Sequence, residues 1–217
     1  MTVSKTVRVG VISGSTRVVR AGPQIAAWVR DIIEKDLKQT PAPGGVALEF
    51  ETIDLGALGL PLLDEPGIPA HIGTAEGYTH EHTRAWSRQV AALDGFVFVT
   101  AQHNWGIPAG LKNAIDYLYN EWRGKPFMVV TYGGHGGVHA AAALQLVLGG
   151  GLKMLALKET VNLTYPGKDV FDKCARGQPL GLPPAGTATI WQDRQEDIAK
   201  TWRELAASLA TKAEKAT

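Results

Sequence analysis

Three glycine-rich loops contain most of the side chains in this sequence that could do chemistry. The first, Ser13–Gly22, combines three hydroxyl groups and two arginines directly before a helix that has Pro23 near its start. The free N–H groups and positive dipole of a helix start favour an anion, and arginine binds phosphate through paired hydrogen bonds. The loop lacks the spacing of a Walker or Gly-x-Gly-x-x-Gly motif. It predicts a cradle for a monophosphate, although a strand-to-helix turn with solvated arginines would have the same composition. The candidate ligands are Ser15, Thr16, Arg17 and Arg20.

The second loop follows an apolar run and precedes a helix with Pro108 in its first turn. Carboxamide side chains supply donors and acceptors together, as the edge of a ring with alternating N–H and C=O groups requires. The tryptophan in this loop either covers a ring face or packs beneath the following helix. The loop therefore predicts a platform for a flat heterocycle. The candidate contacts are Gln102, His103, Asn104, Trp105 and Gly106.

The third loop follows another apolar run and has four glycines after a tyrosine. Glycines let backbone N–H groups approach a flat ligand closely, whereas a turn with positive φ accounts for only one or two of them. The candidate residues are Tyr132, Gly133, Gly134, His135 and Gly136. Together the loops offer a phosphate cradle, a hydrogen-bonding edge and a glycine-lined aromatic wall. These three parts match the three parts of FMN.

We expect no side chain to act as a catalytic acid or base, or as a metal ligand. His135 has no second ligand at metal-binding spacing, and a hydrolase that paired it with Ser15 would need a Gly-x-Ser-x-Gly elbow, which is missing. His80 and His82 stand two residues apart at a predicted helix start, so their rings point to different faces. A solvated first turn is favoured there over a metal site.

Apolar periodicity predicts five strands alternating with helices, the pattern of a parallel sheet covered on both faces. The predicted strands are Thr6–Ile12, Val46–Ile53, Phe96–Thr100, Phe127–Tyr132 and Lys153–Leu157. The second alternates apolar and charged residues like an edge strand, so we expect an α/β fold with the flavodoxin-like order 2-1-3-4-5. In such a sheet the loops after strands one, three and four meet at one crevice.

We expect one flavodoxin-like domain over residues 1–217, with a core of about residues 6–166 and a C-terminal extension over residues 167–217. A long irregular segment, Leu55–Tyr78, is expected to be functional or to contact a partner. The Pro- and Gly-rich segment Gly177–Gly186 is predicted to be a linker to a last helix. Helices are predicted from Pro23, over Thr79–Leu93, from Pro108 to Gly124, over Val138–Leu148, and around Ile198, Trp202, Leu205 and Leu209.

Composition narrows the class of protein. The chain has 217 residues, of which 45% are hydrophobic and 20% are charged, and this suits a single large core. A formal charge of +1 gives no sign of nucleic acid or an anionic membrane as partner. Cys174 is the single cysteine, so no intrachain disulfide can form. With no long apolar run, we expect a soluble, cytoplasmic protein without a membrane partner.

At these residues the sequence resembles the NAD(P)H-dependent FMN reductase family, the flavodoxin-like group with FMN-dependent quinone, azo and chromate reductases. The resemblance covers about residues 7–166 and rests on Gly14–Arg17, Leu60–Pro66, Gln102–Asp116 and Tyr132–Gly137. It implies FMN as cofactor, with its phosphate on Ser15 and Arg17 and its ribityl chain and ring on the other two loops. The family often has a proline and a tyrosine where this chain has Ala101 and His103.

The resemblance also implies the reaction and the assembly. The implied reaction is hydride transfer from NADPH or NADH through bound FMN to a small acceptor: a quinone, a flavin, an azo compound or a metal oxyanion. An electron carrier or flavin-gated interaction protein without nicotinamide turnover is the alternative. The implied assembly is a homodimer, with pairing of dimers into tetramers left open. The candidate dimer surface is Asp116, Tyr117, Tyr119 and Trp122.

Overall fold

The computed structural model describes residues 6–182 and 190–215. Its centre is a parallel sheet of six strands in the order β2-β1-β3-β4-β5, with β6 also paired to β4. The predicted α/β class and strand order are confirmed. The strands are β1 (Val7–Ser13), β2 (Leu48–Asp54), β3 (Gly95–Ala101), β4 (Pro126–Gly133), β5 (Leu155–Ala156) and β6 (Val161–Thr164).

The fifth position of the sheet differs from the prediction of a single strand over Lys153–Leu157. Only Leu155–Ala156 is a strand there, and it pairs with the first two residues of β4. The carboxyl half of β4 pairs instead with β6, in which Val161 and Leu163 are buried. The chain thus uses two short strands along one edge. The prediction of five strands is wrong. The apolar residues of Lys153–Leu157 gave a stronger sequence signal than the short β6, which was therefore not predicted.

Helices cover both faces of the sheet. The long helices α1 and α7 share one apolar core, while α3, α4 and α5 share the core on the opposite face. A π-helical turn, Gln145–Gly151, continues α5 past the predicted helix end at Leu148. The helices are α1 (Gly22–Gln39), α2 (Leu55–Leu58), α3 (Glu81–Ala91), α4 (Ala109–Asp116), α5 (Val138–Leu144), α6 (Lys168–Ala175) and α7 (Gln195–Lys215).

Two regions depart from the expected helices. α4 ends at Asp116 instead of continuing to Gly124, and the following turns bury Tyr117 and Trp122 completely. These two side chains belong to the core under β3 and β4, so their assignment to a dimer surface is wrong. α6 was not predicted and lies just before the expected linker, part of which falls outside the described residues.

In the part of the chain that the structure describes, the helices are all too short or too polar to cross a membrane.

The packing of α7 gives a stability test. The indole of Trp202 is fully buried against Phe50, whereas Trp105 is 62% exposed. We expect Trp202→Ala to lower the free energy of unfolding by about 3–5 kcal/mol, because it leaves a large cavity in the core. Trp105→Ala is the matched control and should change it by less than about 1 kcal/mol. Urea unfolding measures both, and equal losses would contradict the described packing.

Candidate functional site

Strand register brings the three glycine-rich loops to one edge of the sheet. Ser13 at the end of β1 pairs with Val99 of β3, and Ala101 at the end of β3 pairs with Tyr132 of β4. Neighbouring strands lie about 4.8 Å apart, so the loops that follow must also be neighbours. The expected convergence at the carboxyl ends of β1, β3 and β4 is therefore what the structure contains.

The first loop borders a cavity of about 160 Å³. One wall is polar and cationic, and the other is aromatic or small. The cavity is lined by Ser15, Arg17, Val19, Arg20, Ala21, Ala101, His103, Tyr132, Tyr165, Phe171, Cys174 and Ala175. No carboxylate is among these lining residues, so the polar wall has the charge that an anion requires.

Ser15 and Tyr132 form the floor of this cavity. Ser15 is 2% exposed, and its side chain lies close to the Tyr132 hydroxyl beside Gly22. Burial raises the pKa of Tyr132, so the phenol stays protonated. The ring of Tyr132 therefore packs beneath the first loop, with its hydroxyl close to Gly22, instead of forming a wall of the third loop. Tyr132 supports the predicted phosphate cradle from below.

Arg20 mainly holds the shape of the first loop. Its Nη2 pairs with Asp54 at the end of β2, and its Nη1 donates to the carbonyl of Arg17 at 2.9 Å. Its Nε is buried and has no hydrogen-bond partner among the described residues. Arg20 is thus a positioning residue that keeps one donor for a ligand.

Arg17 is the cation that remains available. Within residues 6–182 and 190–215, its guanidinium has no ion pair or hydrogen bond, and it borders the cavity beside Ser15. The first turn of α1 starts next to it and contains no acidic residue, so the positive end of the helix is uncompensated. A free guanidinium, a buried hydroxyl and an orphaned Arg20 Nε fit the phosphate of FMN.

Thr16 lies on the other side of the first loop. It borders a second cavity of about 240 Å³ with Gly56, Gly59 and Asn113. A Cβ atom at Gly110 would lie 2.4 Å from the Thr16 side chain, so α4 can approach this loop only through a glycine. The structure therefore separates Thr16 from the predicted partners Ser15, Arg17 and Arg20.

The second loop is a tight two-residue turn. The backbone of His103 and Gly106 exchanges two hydrogen bonds, of 3.1 and 2.9 Å, across Asn104 and Trp105. Both central residues have positive φ, 45° and 65°, as a type I′ turn requires. Asparagine is common in this conformation, but tryptophan is strained by it. The strain presents the Trp105 ring to solvent at the mouth of the crevice.

Gln102 links the second loop to the third. Its Oε1 accepts hydrogen bonds from the backbone N–H groups of His139, at 3.0 Å, and Ala140, at 3.4 Å. These groups are in the first turn of α5, so Gln102 satisfies donors that a helix start otherwise leaves free. Its carboxamide oxygen is therefore used structurally, and only the NH₂ group remains for a ligand edge.

Trp105 stands in a small aromatic cluster on the outside of the crevice. Its ring lies 4.2 Å from that of His139 and 5.6 Å from that of His135. Trp105 thus neither packs beneath the helix nor stands alone. The residue types and spacing gave no signal for His139, which reaches the cluster because Gln102 fixes the start of α5.

His103 lines the cavity between the first two loops. Its own burial and the nearby positive charge of Arg17 lower the pKa of its imidazole. The ring is therefore neutral at physiological pH. A neutral imidazole donates at one nitrogen and accepts at the other, and it does not compete with Arg17 for an anion.

The third loop is fixed from below by a buried hydroxyl. Thr131 Oγ1 donates to the carbonyl of Gly136 at 2.8 Å and accepts a hydrogen bond from Asn162 of β6 at 2.7 Å. Gly136 and Gly137 both have positive φ, while Gly134 and His135 are exposed at the tip. Gly133 also has positive φ, 159°, and its carbonyl accepts from the N–H groups of Gly136 and Tyr165. Backbone geometry thus favours glycine at three of the four positions.

Several residues of the site were not found by sequence reasoning. The apolar wall of the cavity comes from the end of the predicted core and from the C-terminal extension, neither of which carried a motif. Its residues are Tyr165, Phe171, Cys174 and Ala175. Burial raises the pKa of the Cys174 thiol, so this cysteine acts as an apolar lining group and not as a nucleophile.

Comparison with known proteins identifies the family to which the sequence is similar. The family described as NADPH-dependent FMN reductase matches residues 7–166. The NAD(P)H-dependent FMN reductase LOT6 of Saccharomyces cerevisiae is 50% identical over 149 residues, covering 68% of this chain and 75% of that protein. The NAD(P)H-dependent FMN reductase ntnL of Nectria sp is 36% identical over 201 residues, 91% of this chain and 94% of that protein.

More distant proteins share the fold or a related name. The flavoenzyme FerB of Paracoccus denitrificans, an NAD(P)H:(acceptor) oxidoreductase, aligns in structure with a TM-score of 0.63 and 19% identity, covering 95% of this chain and 98% of that one. A protein named quinone reductase from Pseudomonas putida is 29% identical over 150 residues, 63% of this chain and 68% of that protein.

Two glycines of the third loop provide a matched pair of substitutions. A Cβ atom at Gly137 would lie 2.6 Å from Thr131 Cβ at a φ of 81°, whereas one at Gly134 would meet nothing within 4 Å. We expect Gly137→Ala to cost about 2 kcal/mol or more in unfolding free energy, and Gly134→Ala less than about 1 kcal/mol. Urea unfolding compares them, and similar values would contradict the described loop geometry.

Proposed function

The chain belongs to the NADPH-dependent FMN reductase family, and on that premise we propose that it reduces quinones through FMN held by the three loops. The chain is an NAD(P)H-dependent FMN oxidoreductase, as its family is. We propose in addition that a quinone is the acceptor and that the three loops hold FMN.

The free guanidinium of Arg17 beside the buried Ser15 hydroxyl is the observation that carries the proposal. Two arginines face the cavity, but Arg20 is already paired with Asp54. Among the described residues, the positive charge of Arg17 therefore has no partner, and the first turn of the helix that follows contains no acidic residue. A phosphate ester satisfies all of these donors at once, and FMN carries one at the end of its ribityl chain.

When bound, FMN supplies the two-electron chemistry between nicotinamide and acceptor. The chain's own residues hold and orient it. Ser15 and Arg17 bind the phosphate, the NH₂ group of Gln102 and the backbone of the second loop face the ring edge, and the third loop brings backbone N–H groups close to the ring. Because His103 is neutral, it adds no second positive charge beside Arg17. No side-chain acid or base is required by this arrangement.

An aromatic surface at the mouth supports a quinone as acceptor. The Trp105 ring is 62% exposed, and with the tilted rings of His135 and His139 it forms a solvent-facing aromatic cluster next to the proposed ring site. Flat conjugated molecules pack well against such surfaces. Relatives named quinone reductase agree with this choice of acceptor class.

We also propose a homodimer, on the basis of exposed apolar side chains in the segment that follows β2. Leu62 is 85% exposed and Ile68 is 62% exposed. Large exposed apolar side chains that lie near one another along the chain are common in contact sites. The cytoplasm is the proposed compartment, which agrees with a single, buried cysteine.

Turnover tests the proposed function directly. The FMN-loaded protein should oxidise NADPH or NADH in the presence of menadione, and its visible flavin bands should bleach when nicotinamide is added without acceptor. A protein that binds FMN fully but shows neither bleaching nor turnover would refute the reductase and favour an electron carrier. A protein that reduces free flavin but not menadione would refute the quinone alone.

Arginine substitutions test the phosphate site. We expect Arg17→Ala to weaken FMN binding by about tenfold or more, since a charge-assisted hydrogen bond contributes roughly 1.5–3 kcal/mol. Riboflavin, which lacks the phosphate, should bind the variant and the parent protein equally. Arg30→Ala is the control, because Arg30 also lies on α1 but pairs with Glu34 and Thr52 away from the cavity. Fluorescence titration provides the affinities, and unchanged FMN binding by Arg17→Ala would remove this assignment.

A further inference from the structure

The cover segment, residues 165–182, lies beyond the part of the chain that the family model matches, except for its first two residues. That match ends at residue 166, and α6 begins at Lys168. The segment leaves β6 beside the third loop and crosses the cavity to the start of α1. Its role is therefore not a property of the common core of the fold.

Both ends of the cover segment are held by hydrogen bonds. At its start, the backbone N–H of Tyr165 donates to the carbonyl of Gly133 at 3.1 Å. Near its end, the side chain of Gln24 donates to the carbonyl of Gln178 and accepts from the N–H of Leu180, both at 3.0 Å. A carboxamide that bonds residues i and i+2 in this way mimics a neighbouring β-strand. The segment is thus strapped to the third loop on one side and to α1 on the other.

Between these straps, α6 provides the wall that faces the cations. Phe171, Cys174 and Ala175 line the cavity opposite Ser15 and Arg17. Tyr165 packs against Phe171 with ring centroids 6.0 Å apart, and Phe171 is 52% exposed at the rim. Gly177 passes so close to the first loop that a Cβ atom there would lie 3.0 Å from Val19.

An apolar wall opposite a cationic wall strengthens the electrostatic attraction that holds an anion between them. It excludes water from one side of the anion, so the attraction to Arg17 is less screened than it would be at an open surface. It also lies over one side of the phosphate cradle, so a change in its position changes the path by which a phosphate leaves the first loop.

We propose that the cover segment retains FMN by closing the phosphate end of its site, with Gln24 as its latch. The inference rests on the proposed FMN site and extends it to residues outside the family match. Gln24 is a positioning residue, since it does not line the cavity and acts through the segment that it holds.

Dissociation of FMN tests the latch. Gln24→Ala removes both hydrogen bonds and should speed FMN release by about tenfold, as expected for the loss of two ordinary hydrogen bonds. Release is followed by the rise in free FMN fluorescence after dilution of the loaded protein. Gln24→Glu keeps an acceptor for the N–H of Leu180 and loses only the donor, so an intermediate rate is expected. Gln39→Ala, at the exposed far end of the same helix, is the matched control and should release FMN at the parent rate.

Riboflavin release and amide hydrogen exchange distinguish a failure of the latch from a failure of the proposed FMN site. Riboflavin release should be unchanged in Gln24→Ala, and amide exchange over residues 165–182 should slow when FMN binds the parent protein. If both flavins leave faster to the same degree, or if release and exchange are both unaffected, the cover segment does not act on the phosphate. If the parent protein binds no FMN at all, the proposed function itself is wrong.

Discussion

The site depends on the parallel pairing of β1, β3 and β4, because this pairing fixes where three separate loops must begin. The register sets Ser13 opposite Val99 and Ala101 opposite Tyr132, so the three strands end within a few residues of one another at the same edge of the sheet. The second and third loops are each held by a single polar side chain. Gln102 ties the second loop to α5, and Thr131 ties the third loop to β6. A rigid sheet edge thus carries loops that need little ordering when a ligand binds.

Sequence patterns were enough to predict the sheet order and the three loops, since buried strands and glycine-rich turns leave strong local signals. They were not enough to assign roles within a loop. Arg17 and Arg20 look equivalent in the sequence, yet Asp54, far along the chain, engages only Arg20. Thr16 likewise faces away from the cavity. Its side chain packs against α4, where the absence of a Cβ atom at Gly110 leaves room for it. These differences arise from tertiary contacts that have no local signature.

The C-terminal extension shows the same limit more strongly. α6 is short and carries no motif, so its placement over the first loop follows from packing, with Leu180 and Trp191 buried in the core that α1 and α7 share. The cavity consequently has unlike walls, a cationic one from the family core and an apolar one from the extension. In the proposed site, the common core contributes the charge that would recognise a phosphate, and the extension contributes the wall that would limit its contact with water.

A crystal structure with FMN bound is the most direct test of the account. The phosphate should lie within hydrogen-bonding distance of the Ser15 hydroxyl and the Arg17 guanidinium, beneath α6. The loop has a second cavity on its other face, bordered by Thr16, Gly59 and Asn113. A phosphate found there, or away from the first loop altogether, would contradict the assignment of the cradle and of the segment that covers it.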